Sequence, residues 1–307
     1  MTGAPIPAGE DLVVIPVEQT DIPRGPGALP AQVTIRTADT TRDHIRRAGS
    51  DVGVGDVVAK QGTFIDAGTL AALVATGVRE VEVYAKPRVA VITTGDELTA
   101  WPEQIQGARI PNSNAPMLAH VARGAGAADV TQFHTRDGVE EFTAALENAA
   151  ETHDIVVTAG GISAGAFDVV RAATGHAKNM WFGSVAQRPG SPQGVGVIVD
   201  TPVLSLPGNP VAAFVSAHLY LVPLIRACAG RGPQPTFKVK PAPEFPAPHP
   251  RVTRVIPVRL DDSQVAHAFS QATGSHLVAS LTGIDAVALM PPGARTPDML
   301  DVILTRL

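Results

Sequence analysis

Between residues 87 and 230, short unbroken apolar runs alternate with longer stretches whose apolar residues recur every three or four positions. The runs RVAVITT (Arg88–Thr94), DVTQFH (Asp129–His134) and DIVVTA (Asp154–Ala159) have the length and continuity of strands buried on both faces. APMLAHVARGAG (Ala115–Gly126) and the amphipathic GVEEFTAALENAAETH (Gly138–His153) predict helices between them. FDVVRAATG, WFGSVAQ and GVGVIV continue the alternation over residues 167–199. VLSLPGNPVAAFVSAHL (Val203–Leu219) then reads as a strand end, a Pro207–Gly208 turn, and a helix with Asn209 as N-cap and Pro210 at its first position. Strands and helices in this order predict a parallel sheet covered on both faces.

The flanks read differently. Residues 1–51 are rich in Pro, Gly and Thr, with short β-like runs at Leu12–Val17 and Gln32–Thr37. So short a segment buries no core of its own and is expected to be ordered by packing against other domains or a second subunit. Residues 52–86 form a small mixed segment whose DAGTLAALVATGV (Asp66–Val78) predicts a helix capped by Asp66. The proline-rich RGPQPTFKVKPAPEFPAPHP (Arg231–Pro250) reads as a connector. Beyond it RVTRVIPVRL, GSHLVASL, DAVALMPPG and DMLDVILTRL suggest a small, mostly β terminal domain. The expected divisions are therefore 1–51, 52–86, 87–232 and 233–307.

Composition narrows the classes of function. A chain of 307 residues is long enough for two or more domains. With aromatics at 4%, its core must be mostly Val, Ala, Leu and Ile. A net charge of −5 argues against broad nucleic-acid binding, so an anionic ligand would have to be met locally. The single cysteine, Cys228, excludes a disulfide framework and a cysteine metal cage and fits a reducing cytoplasm. No apolar run of about 18 residues and no signal peptide is read, which argues against a membrane. The nine histidines include no H-x-x-x-H pair, which disfavours zinc.

In an open parallel sheet, ligands bind beyond the carboxyl ends of the strands. After RVAVITT come Gly95, Asp96 and Glu97; after DVTQFH, Arg136 and Asp137; after DIVVTA, Gly160, Gly161, Ser163 and Gly165, with Asp168 at the next helix head. After WFGSVAQ come Arg188, Pro189 and Gly190; after VLSL, Pro207, Gly208, Asn209 and Pro210. Glycine turns and helix N-termini suit phosphate, and carboxylates beside them suit Mg²⁺ shared with a ligand's phosphates. Each residue alone has a plainer reading: Glu97, Asp137 and Asp168 as helix caps, Gly160–Gly161 as a turn, Arg188 as a solvated charge. Ser163 lacks a nucleophile-elbow context, which disfavours a hydrolase triad.

Five stretches in order, PRVAVITTGDEL, IPNSNAPML, DIVVTAGGISAGAFDVV, RPGSPQGVG and LSLPGNPVAAF, closely resemble the MoeA family. These are molybdopterin molybdenumtransferases, related to the E domains of gephyrin and its plant counterpart. The resemblance extends upstream through MTGAPIPAGEDLVV, IRRAGSDVGVGD and GTLAALVATGV, and downstream into TGSHLVASLTGIDAVALMPPG. It implies an α/β protein with a three-layer parallel-sheet molybdopterin-binding domain (87–232), a C-terminal β-barrel-like domain (233–307), and partial N-terminal lid-like (1–51) and linker (52–86) domains. It implies a cytoplasmic homodimer that takes adenylylated molybdopterin and molybdate, inserts the metal and releases AMP, with Mg²⁺ assisting. By motif position, the acidic site residues fall on Glu97, Asp137 and Asp168, with Glu97 and Asp168 toward the metal. The threonine of MTGAP falls on Thr2.

The chain departs from the family pattern in two respects. Ser184 and Ser191 stand where lysines are expected around the Pro189–Gly190 turn, leaving Arg188 as the cation there, and Asn112 replaces a common aspartate. Met1–Pro5 coincides with the middle of a family motif, so an N-terminally truncated member is expected. The lost lysines and the short start favour an alternative, a catalytically impaired MoeA-like pterin-binding or scaffold protein. Glu97, Asp137 and Asp168 speak for the enzyme. A nucleotide-handling CinA-like protein is a third possibility, disfavoured by LPGNP and the β-rich end.

Overall fold

Asp66 caps α1 (Ala67–Ala75) by accepting the Thr69 N–H at 2.7 Å. The N–H groups of Gly77 and Val78 close the other end on the carbonyls of Val74 and Leu73. This helix belongs to the first of two units, Met1–Val81; the second is Glu82–Leu307. The computed structural model describes residues 3–9, 11–28, 30–38, 44–162, 168–174, 179–269 and 277–306. Among the described residues of the first unit only Leu73 is buried. The two β-like runs there make no named strand; a single bridge joins Thr20 and Ile35. Leu12, Val13, Val17, Val33 and Ile35 stay exposed, so the two short runs bury no apolar face and gain too little to extend their pairing.

The second unit begins with β1 (Arg88–Thr94), where the continuous apolar pattern is put to use. Val89 and Val91 face one core and Ala90 and Ile92 the other, all completely buried. The chain continues through β2 (Leu98–Thr99), β3 (Ile110–Pro111), α2 (Asn114–Ala125), β4 (Asp129–Thr135), α3 (Val139–Thr152), β5 (Ile155–Ala159) and α4 (Val169–Thr174). β6 (Met180–Ser184), β7 (Gln187–Arg188), β8 (Pro192–Ile198), β9 (Thr201–Leu206) and α5 (Pro210–Ser216) follow. The main sheet has the order β4-β1-β5-β9-β8-β6. α2 and the helical run after β9 cover one face, and α3 and α4 the other.

Only the β4-β1-β5-β9 part is parallel throughout. The expected parallel sheet covered on both faces is this four-strand part, and β8 and β6 extend it, β8 running antiparallel to both β9 and β6. The cause is local: β8 returns into β9 through a two-residue hairpin in which Val199 and Asp200 both have positive φ, 47° and 62°. Such a loop leaves no room for a crossover helix.

The helix after β9 is continuous from Pro210 to Cys228, through a π-helical turn (Ala217–Leu221) into α6 (Val222–Cys228). Its 19 residues are long and apolar enough to cross a membrane by length and composition, although the sequence reading found no such run. Ser216, His218 and Arg226 interrupt that run, and the segment serves as a core helix: Ala217, Leu221, Val222 and Ile225 are fully buried against the sheet. His218 packs on Phe214 at 4.6 Å, and burial pulls its pKa down to about 4, so the ring is neutral.

β10 (Thr236–Pro241), β11 (Thr253–Leu260), β12 (Val265–Ala268), β13 (Ala286–Met290) and β14 (Leu300–Leu304) form a second sheet. Its order β12-β10-β14-β13-β11 closes through β12–β11 pairing into a small barrel. The expected connector thus contains a barrel strand. Val239 enters the barrel core while Lys238 and Lys240 face out, and the prolines fall at the strand's ends or beyond. The described residues of GSHLVASL hold a 3-10 turn at Val278–Leu281.

On the barrel surface His267 bridges two carboxylates, Nδ1 to Glu244 Oε1 at 3.2 Å and Nε2 to Asp261 Oδ2 at 3.1 Å. The hydrogen bond to Asp261 and then that to Glu244 raise the His267 pKa above 6.5. Its contribution to stability is therefore complete below pH 6.5 and is lost as pH rises through the folded value. Asp261 is lowered from 3.8, first by the Val265 N–H, and Glu244 from 4.5, first by its own backbone N–H; His267 adds to both. Their contributions are lost as pH falls. The cluster should stabilise most between those limits. His267→Gln is expected to flatten the drop in melting temperature between pH 6 and 9; an unchanged drop would show the cluster is inert.

Candidate functional site

The strand order itself locates a crevice. From β1 the chain moves to β4 on one side and then crosses to β5 on the other, so the loops after β1 and β5 part at a topological switch point. Those loops carry Gly95–Glu97 and Gly160–Gly161. Gly160 and Gly161 have φ of +102° and +63°. A Cβ on Gly160 would lie 3.3 Å from the Thr94 carbonyl, and one on Gly161 would lie 2.9 Å from Val170 Cγ2. A Cβ on Gly208 would lie 3.3 Å from the Gly160 Cα. The glycine turns after β5 and β9 therefore touch each other, and both ends of the crevice floor are bare backbone.

The acids arrive from the other side. The sequence allows Asp137 as a helix cap or a site residue; the N-cap of α3 is Gly138. The Asp137 carboxylate instead reaches the end of β1, accepting the Thr94 hydroxyl at 3.2 Å and the Asp96 N–H at 3.3 Å. Glu97 folds its carboxylate over Gly95, Oε2 lying 2.6 Å from where a Cβ would stand. Asp168 is half-buried at the head of α4, its carbonyl accepting the Ala172 N–H at 2.9 Å. Two residues on, Val170 N lies 3.2 Å from the Gly161 Cβ position.

Arg188, Pro189, Gly190, Pro207 and Asn209 line a cleft of about 550 Å³ whose far wall is the barrel, with His249, Arg254 and Phe269. Burial pulls the Arg254 pKa down. Pro210 occupies the first turn of α5 beside Asn209, whose side chain makes no capping bond. Thr2, Ser163 and Gly165 lie outside the described residues.

The sequence reading missed Thr94, the barrel wall and Asn114, whose Nδ2 donates to the Gly208 carbonyl at 2.7 Å while its Oδ1 is buried without a partner among the described residues. IPNSN flagged the segment, but side-chain direction is not legible from it. Asn112, the replaced aspartate, is buried: it donates to Thr93 Oγ1 at 2.8 Å and accepts the N–H of Ala115, in the first turn of α2, at 3.2 Å.

The donor set fits a shared Mg²⁺. No group of three or more metal-ligating side chains occurs among the described residues, so no all-protein cage exists there. Mg²⁺ ordinarily keeps its waters and takes one or two carboxylates with substrate phosphates, and the Glu97 and Asp168 carboxylates beside the glycine turns match that habit.

A switch-point crevice with glycine turns and acids at its edge, beside a cleft walled by a small β-barrel, defines an α/β protein whose candidate ligand site lies beyond the carboxyl ends of its parallel strands. Residues 1–77 match the MoeA N-terminal region (domains I and II), and residues 90–227 match a probable molybdopterin binding domain. The chain is 32% identical over 314 residues to molybdopterin molybdenumtransferase of Staphylococcus epidermidis, covering 99% of this chain and 73% of that one. It is 41% identical over 236 residues to molybdopterin molybdenumtransferase 2 of Mycobacterium tuberculosis, covering 75% of this chain and 56% of the relative's length. The fold matches a MoeA molybdopterin biosynthesis protein of Pyrococcus horikoshii with a TM-score of 0.76 at 24% identity, over 96% of this chain and 72% of that one. The chain belongs to the MoeA family of molybdopterin molybdenumtransferases.

Proposed function

We propose that this protein takes adenylylated molybdopterin and molybdate, transfers molybdenum to the dithiolene sulfurs and releases AMP, acting as a cytoplasmic homodimer. The observation that carries the reading is the meeting of the Gly160–Gly161 and Gly208 turns with the Asp137-tied end of β1. In this proposal the backbone N–H groups of Gly161, Gly208 and Asn209 cradle phosphate and pterin, on turns held together by the Gly160 N–H, which donates to the Leu206 carbonyl at 3.2 Å. Glu97 and Asp168 would hold Mg²⁺, which supplies charge neutralisation at the phosphoanhydride when bound. Asp137 ties the β1 end that carries Glu97 and would add its own negative charge to the Mg²⁺ site, and Glu97 or Asp168 orients the water that adds to phosphorus as the P–O–P bond breaks and AMP leaves. Residues 1–51, 52–86, 87–232 and 233–307 would serve as lid-like, linker, pterin-binding and barrel domains.

One observation favours the impaired relative. Ser191 turns its hydroxyl inward to the Val185 carbonyl at 3.1 Å and presents no charge where the family has lysine. Calorimetric titration with adenylylated molybdopterin, with and without molybdate, separates the readings: AMP release supports the enzyme, and binding without release the impaired form. Neither binding nor release would overturn both. If the missing cations limit binding, Ser184→Lys with Ser191→Lys should raise affinity several-fold, since an exposed or half-exposed pair contributes about 1 kcal/mol at most. The comparison is made at fixed ionic strength. No gain would place the weakness elsewhere.

A further inference from the structure

Beneath the Arg188–Pro189–Gly190 turn lies a buried polar network that no sequence motif announced. Gln187 and Gln193 flank the turn and are 4% and 5% exposed. Gln187 Nε2 donates to the Pro189 carbonyl at 3.1 Å and to Ser216 Oγ at 3.3 Å. Gln193 Nε2 donates to the Gly190 carbonyl at 2.8 Å and to the same Ser216 oxygen at 2.7 Å. Ser216, fully buried at the end of α5, thus accepts from both amides. Tyr220, one turn on in the π-helical segment, donates its hydroxyl to Gln187 Oε1 and so sets which end of that amide faces the turn. Gly190 has φ +88°, and a Cβ there would stand 2.7 Å from Ser216 Oγ and 2.9 Å from Gln187 Nε2. The turn is seated on the network with no room for a side chain between them.

We infer that Gln187, Gln193, Ser216 and Tyr220 are positioning residues for the cleft. Their amides draw the Pro189 and Gly190 carbonyls inward. That keeps the negative ends of two peptide dipoles away from an anion in the cleft and fixes the backbone from which Arg188 reaches it. The ligand class is an oxyanion, phosphate or molybdate, so the inference rests on the function proposed above. A network concerned with packing alone would be costly, since Gln193 Oε1 is left buried and without a partner among the described residues.

The test uses the whole chain and AMP as probe. Tyr220→Phe frees the Gln187 amide to rotate. The Val185 N–H, held by the Ser191 carbonyl at 2.7 Å across the turn, reports the result by hydrogen exchange. Exchange there is expected to speed by about tenfold, the scale of one lost hydrogen bond, and AMP affinity to fall several-fold. In turnover KM should rise with kcat within about twofold. Ser216→Ala, which removes the shared acceptor, should do more of the same. Tyr220→Phe with Gln187→Met replaces the unsatisfied amide by an apolar group and should recover the melting temperature without recovering AMP affinity. Affinity that returns together with the melting temperature, or that neither single variant lowers, would overturn the inference. If the unaltered chain binds no AMP and turns nothing over, the proposed function fails. Exchange at Val185 then decides the inference separately: faster exchange supports the network's hold on the turn, and unchanged exchange overturns it.

Discussion

Asp137→Asn is expected to cut Mg²⁺-dependent AMP release by about a hundredfold, the scale of removing one preorganised electrostatic group. The melting temperature should move by no more than about 3 °C, because the residue is exposed and Asn keeps one side-chain acceptor for the Thr94 hydroxyl or the Asp96 N–H. The substitution removes the charge while largely preserving the loop that carries Glu97. Asp168→Asn should behave likewise, since Asn also suits a helix head. Chelating Mg²⁺ should abolish turnover of the unaltered protein and change the Asp137 variant far less. Full turnover by either variant would make its carboxylate structural, and so would a loss of folding.

Gly161→Ala should cost about 2 to 4 kcal/mol in urea unfolding, combining the left-handed backbone penalty with overpacking. The added carbon would meet Val170 Cγ2 at 2.9 Å, Val170 N at 3.2 Å and Thr94 Cγ2 at 3.4 Å. Two of these contacts are to the first turn of α4, so relief means pushing that helix, and Asp168 with it, away from β1. Gly107 supplies the control: its φ is also +63°, yet a Cβ there meets nothing within 4 Å. Gly107→Ala should therefore cost only the backbone part, about 1 to 2 kcal/mol. Equal losses at both positions would show that φ alone, and not the close approach of β1, β5 and α4, demands glycine at 161.

What the sequence by itself determined was local or periodic. β1, α2, β4, α3 and β5 were legible because a strand buried on both faces and an amphipathic helix leave different spacings in the chain. The rule that ligands collect beyond parallel strand ends then puts Glu97, Asp137, Gly160 and Gly208 on one edge from the sequence alone. Tertiary structure alone decided which of these touch. Asp137 could cap α3 or reach across to Thr94, and only the parallel register of β1 with β4, Thr94 beside Thr135, made the second contact available. The direction of β8 depended on a hairpin with positive φ at Val199, which nothing in a valine announces. A barrel strand hid among prolines because its partners, β12 and β14, lie far along the chain. Gln187, Gln193 and Ser216 read as ordinary polar residues until the fold set two amides against one hydroxyl. Spacing along a chain records which face a residue shares with its neighbours; which distant face it meets is settled only by the pairing of strands and the packing of helices.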